Sequence, residues 1–164
     1  MALIADAMVL IHLAKVSLLG KSCDYFKKVL TPGCVYKEIL KGKEKDMPDV
    51  PIIMKLIKDK KILVKKADKD LIKKANQFNV QRGEAEAVAL CWQEKADLIA
   101  TDDDNVRKKR ILLDVEVIGT PAIALKLFKE NIIDKNKMKQ CVSELKKIGW
   151  FSNTILDKML METK

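Results

Sequence analysis

Short apolar runs that stop at acidic residues, set between amphipathic stretches, constrain this chain more than any other feature. Ala2–Ala5 runs straight into Asp6, and Leu98–Thr101 runs straight into Asp102, Asp103 and Asp104. Runs this brief suit strands of a sheet covered on both faces. Ile62–Lys65 and Val115–Ile118 read the same way, and Cys34–Leu40 reads as a passage from strand to helix. Helical stretches lie between them. One continues from Asp6 through Leu13; a second, Ser22–Leu30, puts Cys23, Phe26, Val29 and Leu30 on one side and ends at the Thr31-Pro32-Gly33 break. Pro51–Lys58 has proline in its first turn, Asp68–Phe78 has Asp68 as N-cap, and Gly83–Lys95 begins with acids and ends with lysine, as the helix dipole favours. Val106–Leu112 and Thr120–Phe128 follow. Such alternation predicts an α/β fold, a three-layer α/β/α sandwich around a central parallel sheet. Gly42–Asp49, polar and charged, is the expected mobile loop. The 164 residues read as one domain, with a helical extension from about residue 134 that holds Lys135–Lys147 and Ser152–Met161.

Charge narrows the partners. With 32 basic and 23 acidic residues the net charge is +9, which attracts polyanions, nucleic acid first. Lysine outnumbers arginine, which suits a general phosphate field more than bidentate base readout. The four cysteines form no C-x-x-C, and there is one histidine, so a structural zinc site is not expected. Free cysteines in apolar stretches imply a reducing, cytoplasmic setting. The apolar run Met1–Leu13 is too short to span a bilayer and carries Asp6, so no membrane association is expected.

In parallel sheets, ligands bind beyond the carboxyl ends of strands. Asp6 and Asp103 therefore converge if their strands are neighbours. Glu84 opens the helix that precedes the second strand, and Glu38 sits in an otherwise apolar passage, Val35–Leu40. Carboxylates that share a partly buried site repel one another unless a cation neutralises them. Oxygen ligands without histidine or thiolate point to Mg²⁺ or Mn²⁺, and such an ion can activate water for phosphodiester hydrolysis. Taken singly, each acid reads first as structural, for instance as a helix N-cap.

The order of these motifs resembles that of the PIN-domain family. IADAMVLIHL resembles its first strand ending in Asp, TPGCVYKEIL its helix-borne Glu, RGEAEAVAL its acid at a later helix head, and LIATDDDNVRK its T-x-D. The resemblance covers the whole chain, and VIGTPAIALKLFKENII and ELKKIGWFSNTILDKML resemble a prokaryotic or archaeal PIN subfamily. It implies an endoribonuclease using Mg²⁺ or Mn²⁺, with Asp6, Glu38, Glu84 and Asp103 as metal-binding and catalytic acids. Asp103 rather than Asp102 matches T-x-D, and Glu86 is the reserve for Glu84, since residues two apart on a helix diverge by about 200°. The resemblance also implies a homodimer and a possible role as a toxin of the VapC type, held by an antitoxin; RNA processing is equally open.

Thr101 reads either as a partner that orients a carboxylate or water or as a cap of its turn, and Asp104 either as an outer ligand of the metal or, in preference, as a solvated N-cap of the helix carrying Arg107. Arg107, then Arg82, are the expected RNA contacts; a solvated face is the alternative for Arg107. His12 stands two turns from Asp6, too far to be a base. Trp150 and Phe151 read as packing on the body or into an oligomer interface. Two rival readings are a non-catalytic PIN-fold module that binds RNA or protein, and a phosphotransfer enzyme. For the latter, Asp102-x-Asp104 suits a Toprim-like site, whereas Met8 stands where a haloacid-dehalogenase site needs its second Asp.

Overall fold

A computed structural model describes residues 1–164. Five parallel strands form one sheet: β1 (Ala2–Ala5), β2 (Lys28–Pro32), β3 (Ile62–Lys65), β4 (Leu98–Ala100) and β5 (Val117–Ile118), in the order β3-β2-β1-β4-β5. Alternation along the strands divides the core. Leu3, Ala5, Val29 and Ala100 point to one face; Ile4, Leu30 and Ile99 point to the other. The first face is covered by α1 (Ala7–Lys15), α2 (Leu19–Phe26), α3 (Gly33–Glu44), α4 (Val50–Lys58), α9 (Thr120–Lys129), α10 (Lys135–Ile148) and α11 (Asn153–Glu162). The second is covered by α5 (Lys69–Asn76), α6 (Arg82–Glu94), α7 (Asp104–Lys108) and α8 (Arg110–Leu113). This is the expected α/β/α sandwich. No helix is long and apolar enough to cross a membrane.

Five local expectations need correction. Ser22–Leu30 is not one helix. Lys27 takes a positive φ of 67° and ends α2, and residues 28–32 extend as β2, pairing Ala2 with Lys28 and Ile4 with Leu30. Val29 and Leu30 thus face opposite layers, and cross-strand pairing overrides an apolar spacing that also fits a helix. Helix α3 consequently begins at Gly33, without a strand of its own, and reaches Glu44. The expected loop from Gly42 is therefore shorter and packed: a Cβ on Gly42 would lie 3.0 Å from Val50 Cγ2 and 3.2 Å from Met47 Sδ. Val106–Leu112 is broken at Lys109 into α7 and α8, which leaves Ile111 84% and Leu112 72% exposed. Lastly, Asp103 and not Asp104 caps α7.

Strand order reverses at β1. The chain steps from β1 to β2 and β3 on one side, then returns to place β4 on the other. In open α/β sheets the crevice at such a reversal is where ligands bind. Here it lies beyond Ala5 and Ala100, which are register partners.

Candidate active site

The first residues past those strands build the cleft. Asp6 N–H donates to Ala100 O across the strand gap, 3.1 Å. Its Oδ1 accepts from Val9 N–H at 2.9 Å and caps α1. Asp103 Oδ1 does the same for α7 through Asn105 N–H at 2.8 Å. Both acids are therefore N-caps. Capping occupies one oxygen of each, so the structural and functional readings of these residues are compatible.

Asp6, Asp103, Glu38 and Glu84 line a single cleft of about 230 Å³, with Thr101 and Arg82 on its wall. Val35, Ala87, Ile99 and Val106 supply apolar wall. Glu38 comes from the second turn of α3 and Glu84 from the first turn of α6. The two helices approach at Gly83, where a Cβ would stand 3.6 Å from Glu38 Oε1 and 3.7 Å from Cys34 Sγ. Gln81, which precedes α6, makes no side-chain capping bond; the free N–H groups of that first turn favour negative charge nearby. Arg82 enters α6 at φ +51°, a left-handed conformation that costs a residue with a Cβ about 1–2 kcal/mol.

Burial pushes the Asp6 carboxyl up to about 6. The Thr101 hydroxyl and Val9 N–H pull it back, and the charges of Asp102 and Glu38 push it further up. Thr101 Oγ1 also accepts from Asp103 N–H at 3.1 Å, which links the two capping acids. Asn105 makes another link, one the sequence reading missed: its Nδ2 donates to Glu84 Oε2 at 2.8 Å while its backbone N–H is held by Asp103. The only local signal was an amide two residues past the T-x-D acid.

Three anticipated residues lie elsewhere. Glu86 turns to the Cys34 thiol; burial, then Glu86 itself, push that thiol up to about 12, so it stays protonated at neutral pH. Asp102 is buried on the other side of the β4–α7 loop. Its Oδ1 accepts from Thr120 N–H at 2.7 Å, and its Oδ2 from Thr120 Oγ1 at 2.6 Å and His12 Nδ1 at 2.7 Å. A carboxylate only accepts, so His12 donates through Nδ1. Asp102 and His12 thus tie β4, α1 and α9 together, and Asp102 is not available for a Toprim-like pair with Asp104, which is exposed. Arg107 does not reach the cleft. Its Nη2 donates to Thr101 O at 3.4 Å and its Nη1 stands 3.7 Å from Asp104 Oδ1.

Gly119 completes the Asp102 network. A Cβ there would lie 2.9 Å from both Asp102 Oδ1 and Arg107 Nη2. Arg107 can swing aside, whereas buried Asp102 cannot. Gly119→Ala is expected to cost about 1–3 kcal/mol in urea unfolding; an unchanged midpoint would mean that the Asp102 carboxylate is free to move.

The donor set of the cleft is four carboxylates with no imidazole or thiolate, the chemistry of a hard divalent cation. As the side chains stand, no three His, Cys, Asp or Glu groups converge closely enough to hold an ion. Asp6 and Asp103 are held by their caps and Glu84 by Asn105, whereas Glu38 has a longer side chain that an ion can draw in.

No curated protein and no solved structure matches the chain significantly. The family model described as "PIN domain" matches residues 2–164. A parallel sheet with its cleft at the β1–β4 reversal agrees with that match, and the chain is a member of the PIN-domain family.

Proposed function

We propose that this protein is a Mg²⁺- or Mn²⁺-dependent endoribonuclease that hydrolyses RNA phosphodiester bonds. PIN domains are generally nucleases that use divalent metals. The observation that carries the finer reading is the meeting of Asp6, Glu38, Glu84 and Asp103, from four separate elements, in one cleft. When bound, the cation supplies activated water and neutralises charge on the phosphate. The chain's own residues do the positioning. Caps hold Asp6 and Asp103, the Thr101 hydroxyl ties them, and Asn105 holds Glu84. Arg82, at the cleft wall, meets the phosphate backbone, and the net charge of +9 favours the encounter.

The reading places the protein in the cytoplasm, in keeping with four free cysteines. A protein partner belongs to the proposal as well, either an antitoxin or a second copy in a homodimer. The exposed Ile111 and Leu112 pair supports such a contact.

Purified protein incubated with an RNA of mixed structure is expected to cut it with Mn²⁺ or Mg²⁺ and to stop in EDTA. Folded protein that binds the RNA but cuts under neither metal would sink the nuclease reading in favour of a non-catalytic binding module.

A further inference from the structure

Next to the acidic cleft, on the opposite side of the β4–α7 loop, lies a second hollow of about 260 Å³ lined by Asp102, Asp104, Arg107, Trp150, Phe151 and Ser152 among others. It is a little smaller than a pocket for a drug-sized ligand. Its wall is the link between α10 and α11, and that link is pinned at both ends. Gly149, at φ +78°, ends α10, and Ser152 caps α11 by accepting from Ile155 N–H at 3.2 Å. Between them the two aromatic rings part company. Phe151 turns inward, edge-on to His12 with ring centroids 5.2 Å apart. Trp150 stays 52% exposed, yet its Nε1–H donates to Asp102 O at 3.1 Å. The polar edge of the indole is therefore satisfied and its ring is held in place while remaining open to solvent.

Arg107 stands in the same hollow, its Nη2 3.4 Å from Thr101 O. A fixed indole and a planar guanidinium make a stacking site for a flat ring. Asp104 decides what kind of ring. An exposed carboxylate repels a phosphate, but it accepts from the exocyclic amine of adenine, cytosine or guanine, which uracil lacks. Asp103, between Asp102 and Asp104 in the chain, faces the acidic cleft. The turn that holds Asp103 in the acidic cleft thus holds Asp104 in the hollow.

The geometry points to Trp150 and Arg107 as a subsite for one unpaired nucleobase of the RNA, flanking the bond to be cut. This inference rests on the nuclease reading, and it adds a preference for a base with an exocyclic amine over uracil next to the cleavage point.

The test uses the full chain with Ca²⁺ in place of Mg²⁺ or Mn²⁺, so that the acids are neutralised when RNA binds, with short oligoadenylate, oligocytidylate and oligouridylate strands. Tryptophan emission and affinity are read together. Strand binding is expected to quench Trp150, and Trp150→Ala is expected to remove the quench and weaken binding of adenylate and cytidylate about ten-fold. A strand with an abasic position scanned along it is expected to lose the same affinity at one position, in the unmutated protein, so the test does not depend on the variant folding. Equal weakening of intact and abasic strands by Trp150→Ala would overturn the subsite, as would unchanged RNA affinity with altered self-association. If RNA is still cut in Mn²⁺, such a result sinks the subsite alone. Failure both to bind and to cut RNA sinks the nuclease reading with it.

Discussion

Replacing Asp6 with asparagine is expected to make the metal-free protein more stable while abolishing its RNA cleavage. Stability comes first because its sign follows from burial. The Asp6 carboxyl titrates near 6 in the fold, against 3.8 for an ordinary Asp, mainly because burial penalises its charge. The folded state thus holds its proton to higher pH than the unfolded state does. Its favourable contribution is complete below about pH 3.8 and is lost as pH rises through about 6. At pH 7.5 the ionised group costs on the order of 2–3 kcal/mol. Asparagine carries no charge and still caps α1, since Asn and Asp are near-equal N-caps. In EDTA at pH 7.5 the variant should melt roughly 5–10 °C higher, at about 2–4 °C per kcal/mol for a chain of this size. The gain should shrink towards pH 4. Cleavage should fall by at least about 10²–10³-fold, the scale for removing one preorganised electrostatic group, and Mn²⁺ should raise the melting temperature of the parent but not of the variant. A variant no more stable than its parent would show that the cleft does not strain the charge. A variant that cuts normally would remove Asp6 from the chemistry.

Asp102→Ala is expected to have the opposite profile. Its carboxylate takes hydrogen bonds from Thr120 N, Thr120 Oγ1 and His12 Nδ1, and Asp102, Thr120 and His12 are all buried. Alanine would leave these donors unpartnered, at a cost of about 3–5 kcal/mol, or roughly 10 °C of melting temperature. Asp103→Ala, one residue along, loses a single cap worth about 1 kcal/mol and should lose cleavage instead. Thermal melts of the two variants beside RNA cleavage by each would separate a structural from a catalytic aspartate within one tripeptide. Equal melting temperatures would mean that the Asp102 network does not hold α1 and α9 to the sheet.

The parts legible in the sequence were those that local chemistry decides. An apolar run that ends in an acid marks β1 and β4, because a buried strand tolerates no charge until it leaves the sheet. Glu84 was visible as the acid in the first turn of the chain's strongest helix. Strand β2 was not legible, because Val29 and Leu30 fit a helical face as well as two faces of a strand, and only pairing with β1 chooses between them. Of the two arginines, Arg82 and not Arg107 lines the cleft. Arg107 is nearer in sequence to Asp103, yet the turn into α7 carries it to the far side of the loop, while Arg82 arrives from another element.

Residue types and their order along the chain were enough to specify the layers, the parallel sheet and the acids that follow β1 and β4, since these depend on hydrophobic period and on which residues end a strand. Which of three consecutive aspartates faces the cleft is a matter of direction. Direction is set by the pairing of β4 between β1 and β5 and by His12 and Thr120, contributed by distant parts of the chain. The indole of Trp150, held against the carbonyl of Asp102, has the same origin. Contacts between residues far apart in sequence leave no period and no local composition to read, so only the folded chain could decide them.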